Sequence, residues 1–248
     1  MRSIIFTFIL LSLMSCAQLD YNIPTSRLDS PETTGGLGKF DVAIGAASGY
    51  DVDLAEAYDF VISGTTAQES VTGPEPLLTF KGNVGLMPRL DIGLQTYSDT
   101  SDLLKVKYQF VGGDRSTSGL KVSLQGEFGF GYHEDGTLNT DSKSYTTDLK
   151  AKSLGASLNI GYRVNSELLF YLNTVFMEYK VDGVLKDGAT VEYDGEQSPE
   201  VILVLPGLRL DFDSAYVQIE SGYSFLNSSY KENNSDDFTY GLSLGYTF

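Results

Sequence analysis

Beyond Gly38 the chain places large apolar residues at alternate positions, segment after segment, with small or polar residues between them. A period of two belongs to an extended strand whose two faces meet different surroundings. In the closing stretch, DFTYGLSLGYTF, Phe238, Tyr240, Leu242, Leu244, Tyr246 and Phe248 share one face, and Thr239, Gly241, Ser243, Gly245 and Thr247 share the other. A first segment, near Lys39 to Leu54, sets Phe40, Val42, Ile44 and Ala46 against Asp41, Ala43, Gly45 and Ala47; the next sets Leu78, Phe80, Val84 and Leu86 against Thr79, Lys81 and Asn83. Leu90, Ile92 and Leu94 oppose Asp91, Gly93 and Gln95, and Leu104, Val106, Tyr108 and Phe110 oppose Lys105, Lys107 and Gln109. Leu120, Val122, Leu124, Phe128 and Phe130 face away from Lys121, Ser123, Gln125 and Glu127. Leu154, Leu158, Ile160 and Tyr162 then oppose Ser157, Asn159 and Arg163, and Val217, Ile219, Tyr223 and Phe225 oppose Tyr216, Gln218 and Glu220. Two segments, near Leu168 to Lys180 and Val201 to Phe212, are apolar on both faces at their centres, which gives ten predicted strands in all.

The connections carry a second pattern. MPR, GGDRSTSG, NSE and DSA are short, whereas Ala55 to Pro76, His133 to Thr147, Val181 to Glu200 and Asn227 to Asp237 are polar and mostly long, and the two kinds alternate; among the latter only YSDTSD is short. Most strands have about 9–12 residues, enough for a tilted strand to cross a bilayer. Their clean apolar faces hold no charge, and a Lys or Arg facing lipid at the midplane costs about 2–4 kcal/mol.

On these features residues 39–248 resemble the small bacterial outer-membrane β-barrels. The resemblance implies an all-β, closed antiparallel transmembrane barrel of ten strands, with eight or twelve as alternatives, in contact with outer-membrane lipids. It also implies long loops outside and a periplasmic C-terminus. The last strand, ending in Tyr246 and Phe248, is similar to the signal read by the barrel-assembly machinery, a second implied partner. It departs from that signal in having Gly241 and Gly245, with Ser243 where a glycine is expected. The competing fold is a soluble, lipid-tethered β-protein.

The N-terminus, MRSIIFTFILLSLMSCAQ, reads as an export signal over residues 1–15, with Arg2 before an apolar run from Ile4 to Met14 that is too short to span a bilayer. Leu13-Met14-Ser15-Cys16 resembles a bacterial lipobox, which would make Cys16 the lipidated first residue; the alternative is ordinary cleavage before Gln18. Residues 16–38 are polar, carry Pro24 and Pro31, have no strand or helix period, and are expected to form a periplasmic tether, with a lumen plug as the alternative. Both termini are thereby expected in the periplasm.

The net charge of −16 excludes a nucleic-acid partner and predicts an acidic surface. One histidine and one cysteine exclude a Cys/His zinc cluster within the chain, and no cofactor or metal is expected. The predicted lumen carries Lys81, Lys105, Lys107, Lys121 and Arg163 beside Asp41, Asp91, Glu127 and Glu220. Opposite charges in a narrow tube pair and seal it, so the expected function is non-enzymatic: a structural or surface-interaction barrel with acidic external loops that meet an extracellular ligand. Two alternatives remain, a narrow channel for small solutes biased by those lysines, and a hydrophobic-molecule route along the inward wall of Val201, Leu203 and Leu205. Ten strands also resemble the omptin proteases. Asp51, Asp53, His133, Glu134 and Asp135 are the residues that could correspond, but they lack the local Asp-His pattern.

Overall fold

Antiparallel pairing turns the alternation into a wall with two unlike faces. The computed structural model describes residues 20–53, 70–98, 100–139, 144–227 and 235–248. A short β1 (Asp20–Pro24) precedes β2 (Phe40–Asp53), β3 (Ser70–Met87), β4 (Leu90–Tyr97), β5 (Asp102–Val111), β6 (Gly119–Asn139), β7 (Ser144–Arg163) and β8 (Leu168–Asp187). There follow β9 (Thr190–Gln197), β10 (Glu200–Phe212), β11 (Ala215–Asn227) and β12 (Ser235–Thr247). Successive strands pair, β10 pairs with β8, and β12 returns to β2 with Leu244 opposite Ile44. Ten strands, β2 to β8 and β10 to β12, therefore close into a barrel.

The barrel has two different ends. Residues 88–89, 112–118, 164–167 and 213–214 make the short turns, and Phe248 N donates to Phe40 O at 2.9 Å at that same end. The longer connections gather at the other end. They are less loop-like than expected, because β6 and β7 continue as a paired ribbon to Asn139 opposite Ser144, and β9 folds back on β8 from Gln197 opposite Val181. Their outer face is polar, but Tyr145, Leu149, Val181 and Leu185 on the other face are buried in an apolar cluster, and cross-strand bonding satisfies the backbone.

Outside, the apolar stripes stand exposed: Leu78 is 71% exposed, and Ile44 and Leu154 are each 64% exposed. A soluble monomer rarely exposes a contiguous apolar patch beyond a few hundred Å². An apolar band around a closed wall is instead the solution required in lipid, where every backbone polar group must be bonded internally. Tyr162 and Tyr246 join this outer face, whereas Tyr50, Tyr97 and Tyr179, which could have served as interfacial anchors, point inward and are buried.

The described part of the expected tether follows the alternative course, a segment inside the lumen. Residues 21–34 are buried throughout, inside the barrel. Asp20 pairs with Asp53 and Pro24 with Gly49, at the long-loop end. The chain then descends without secondary structure to the short-turn end, where Gly38 N donates to Gly85 O at 3.1 Å. The described N-terminal strand thus lies at the end of the barrel opposite Phe248. The physical reason is the lumen wall, whose buried charges and amides need partners that solvent cannot reach.

Candidate functional site

The inward face of the wall has two storeys. Toward the short turns it is charged: Lys81, Lys105, Lys107, Lys121, Arg163, Asp91, Glu127 and Glu220 all point inward and are buried. Toward the long loops it is apolar, and Val175, Met177, Tyr179, Val201, Leu203 and Leu205 form one buried cluster with Tyr21 and Ile23 of β1. Tyr21 also shares a hydrogen bond with Ser101 across the lumen at 3.2 Å. The N-terminal strap, residues 20–38, runs through both storeys.

In the charged storey the wall binds the strap through its backbone. Glu220 accepts from Arg27 N and Leu28 N, each at 2.5 Å, and from Ser26 Oγ at 2.6 Å. Leu28 sits at φ 52, a left-handed conformation that turns the two successive amides toward that carboxylate. Tyr97 donates to Ser26 O at 2.9 Å, Asn173 to Asp29 O at 2.7 Å, and Lys107 to Ser30 O at 2.9 Å; Lys81 donates to Leu28 O. Further down, Gln109 accepts from Thr33 N at 3.0 Å and Asp91 from Thr34 N at 2.8 Å. Many backbone groups of this irregular buried segment are thus bonded by side chains of the barrel, in place of a sheet ladder.

Ion pairs add to this. Lys105 Nζ lies 2.7 Å from Asp29 Oδ2, with Gln125 donating to the same oxygen at 2.8 Å. Arg27 meets Glu127 at 3.2 Å and donates to Tyr179 Oη at 3.0 Å. Arg163 grips Glu32 with two bonds, at 2.7 and 2.5 Å, and also reaches Asp211 at 2.9 Å. At the short-turn end Arg115 approaches Asp41 at 2.6 Å, and Arg209 stacks 3.5 Å over the Tyr216 ring, whose hydroxyl donates to Asp41 at 2.6 Å. Each wall lysine expected to bias ion flow is engaged, Lys121 through Gly113 O and Asp114 O in the turn at 3.1 and 2.6 Å.

Sequence reasoning missed Arg27, Asp29 and Glu32, because a polar segment looks the same whether water or a wall solvates it. Arg209 was missed too, although its alternation with Leu208 and Leu210 carries the signal that places it inward. The unusual glycines of β12 also find their reason here. A Cβ at Gly241 would stand 2.0 Å from Ser26 Oγ of the strap, and one at Gly245 would stand 2.1 Å from the Tyr216 ring.

The residues weighed for omptin-like chemistry do not assemble as such. Asp51 is on β2, while His133 is on β6, with three strands between them around the wall. Its Nε2 lies 3.0 Å from Asp148 and 3.3 Å from Asp135, on the exposed ribbon, and Lys150 donates to the other oxygen of Asp148 at 2.8 Å. Cys16 lies outside the described residues. Tyr246 and Phe248 stand exposed on the apolar face, their rings 4.7 Å apart.

Closure, the apolar outer band and a polar inner wall define a transmembrane β-barrel of the outer-membrane type. No family model matches the chain and no curated protein matches it. Among solved structures, the attachment invasion locus protein Ail of Yersinia pestis is similar at 14% identity and TM-score 0.36, over 86% of this chain and 99% of that one. The outer-membrane protease OmpT of Escherichia coli is similar at 12% identity and TM-score 0.43, over 88% and 100%. These are likenesses of barrel architecture alone.

Proposed function

We propose that this protein is a non-enzymatic, non-conducting outer-membrane barrel, sealed by its own N-terminal strap, whose work is done by the acidic long-loop end presented outside the cell. The observation that carries this reading is the state of the lumen: its lysines bond the strap and the turn, with Lys105 on Asp29 and Lys107 on Ser30 O. A solute path would require all of these bonds to break together. The hydrophobic route along Val201, Leu203 and Leu205 is likewise filled by Tyr21 and Ile23. What remains available to a partner is the projecting surface, with Glu134 and Asp135 on the β6–β7 ribbon and Asp182, Asp187, Glu192, Asp194 and Glu196 on the β8–β9 hairpin. Such a surface favours a basic ligand and steers it from a distance in low salt.

Conductance of the purified mature protein in planar bilayers tests the seal. The expected record is silent for the intact chain, with steps appearing only after residues 21–34 are removed. Reproducible steps in the intact protein that respond to Lys105→Glu or Lys107→Glu would establish the channel reading in its place.

A further inference from the structure

We infer that the strap is an additional traverse of the membrane and that the mature N-terminus leaves the barrel on the long-loop side, opposite the C-terminus. Two features fix its ends and a third its path. At one, β1 pairs with β2 from Asp20 opposite Asp53 to Pro24 opposite Gly49. At the other, Gly38 and Lys39 are bonded to Gly85, beside the Phe40 to Phe248 contact at the short turns. Between them the strap is buried without interruption through Thr34, and its ends lie beside the two ends of β2, a strand of 14 residues where about 9–11 suffice to cross a bilayer.

The entry point is a break in the barrel seam. β12 pairs with β2 only from Asp41 to Ala47, and beyond that point β1 takes over the same edge of β2, from Gly49 to Asp53. Thr25 fastens the junction: its amide donates to Ser48 O at 2.8 Å, and its hydroxyl lies 2.6 Å from that of Thr239 on β12. The strap thus slips between the first and last barrel strands at the rim. Because it is continuous with β2, it can be in place before β12 closes the wall around it, and no loose end has to be threaded through a finished pore. Both processing readings, a first residue at Cys16 or at Gln18, begin within a few residues of Asp20, so either product starts at this rim. If Cys16 is the acylated residue, its acyl chains enter the leaflet on the long-loop side.

The test places an epitope after Gln18 and, in a second version, after Ala189 in the β8–β9 turn of the full-length protein, with a heat-dependent mobility shift on gels confirming a folded barrel. Antibody binding is compared on intact and permeabilised cells. Equal behaviour of the two epitopes supports the inference; both visible on intact cells also agrees with the external face assigned above, and both visible only after permeabilisation reverses that face while leaving the traverse intact. An epitope at Gln18 that behaves oppositely to the one at Ala189 overturns it. Should an inserted epitope impair folding, Gln18→Cys and Ala189→Cys with a membrane-impermeant maleimide give the same two outcomes.

Discussion

The two storeys of the lumen hold one and the same segment by different physics. In the apolar storey, Tyr21 and Ile23 are held by β-pairing and packing, and burying such side chains contributes about 1.5–3 kcal/mol each. In the charged storey, buried pairs such as Lys105–Asp29 and Arg163–Glu32 recover in mutual attraction roughly what their desolvation costs. They add little net stability but penalise any shift of the strap, because a displaced partner leaves a buried charge alone. The upper storey therefore supplies adhesion and the lower one supplies register. This is also why the lower storey uses backbone contacts from Glu220, Asp91 and Asn173, which fix position residue by residue.

That contrast can be broken in a graded way, with stability read from urea-dependent folding into lipid vesicles on unheated gels. Asp29→Ala leaves Lys105 without its carboxylate and is expected to cost about 3–5 kcal/mol. Adding Lys105→Met should return part of that loss, since the orphaned charge is then gone; strict additivity of the two changes would contradict a coupled pair. Leu203→Ala, in the apolar storey, is expected to cost about 3 kcal/mol, and no second-site charge removal should rescue it. Gly241→Val pushes a side chain into the Ser26 position and should cost about 1–3 kcal/mol, while Ser26→Gly in the same chain relieves part of it. Asp148→Asn, on the exposed ribbon, removes only solvent-screened pairs and should leave the folding midpoint unchanged.

Much of the barrel could be read before any coordinates. Alternation gave the lipid-facing residues and the inward lysines, and the short connections marked one end, because side-chain direction in a strand depends only on parity. The strap was hidden for a reason of the same kind. Its backbone bonds go to side chains such as Glu220 and Gln109 at irregular spacing, so nothing periodic appears in DYNIPTSRLDSPETTGG. Two traces were nonetheless present: a wall with more inward bases than its own acids could serve, and inward glycines on β12 where the assembly signal does not call for them. Both point to something occupying the lumen. The ribbons beyond the belt were hidden because their buried apolar positions, Tyr145, Leu149, Val181 and Leu185, are interrupted on the same face by Thr147 and Gly183 and lie in otherwise polar sequence.

The central claim is that the strap lies inside the barrel, and a disulfide across the lumen tests it most directly. Residues 18–248 contain no cysteine, so Thr25→Cys with Thr239→Cys would be the only thiols in a refolded chain of those residues. Their hydroxyls are 2.6 Å apart in the native protein, on residues 214 positions apart in sequence. The account predicts that mild oxidation of the folded barrel links them quantitatively, giving a looped species of altered mobility on denaturing, non-reducing gels. Two thiols that stay reduced and accept maleimide in a folded barrel would contradict it.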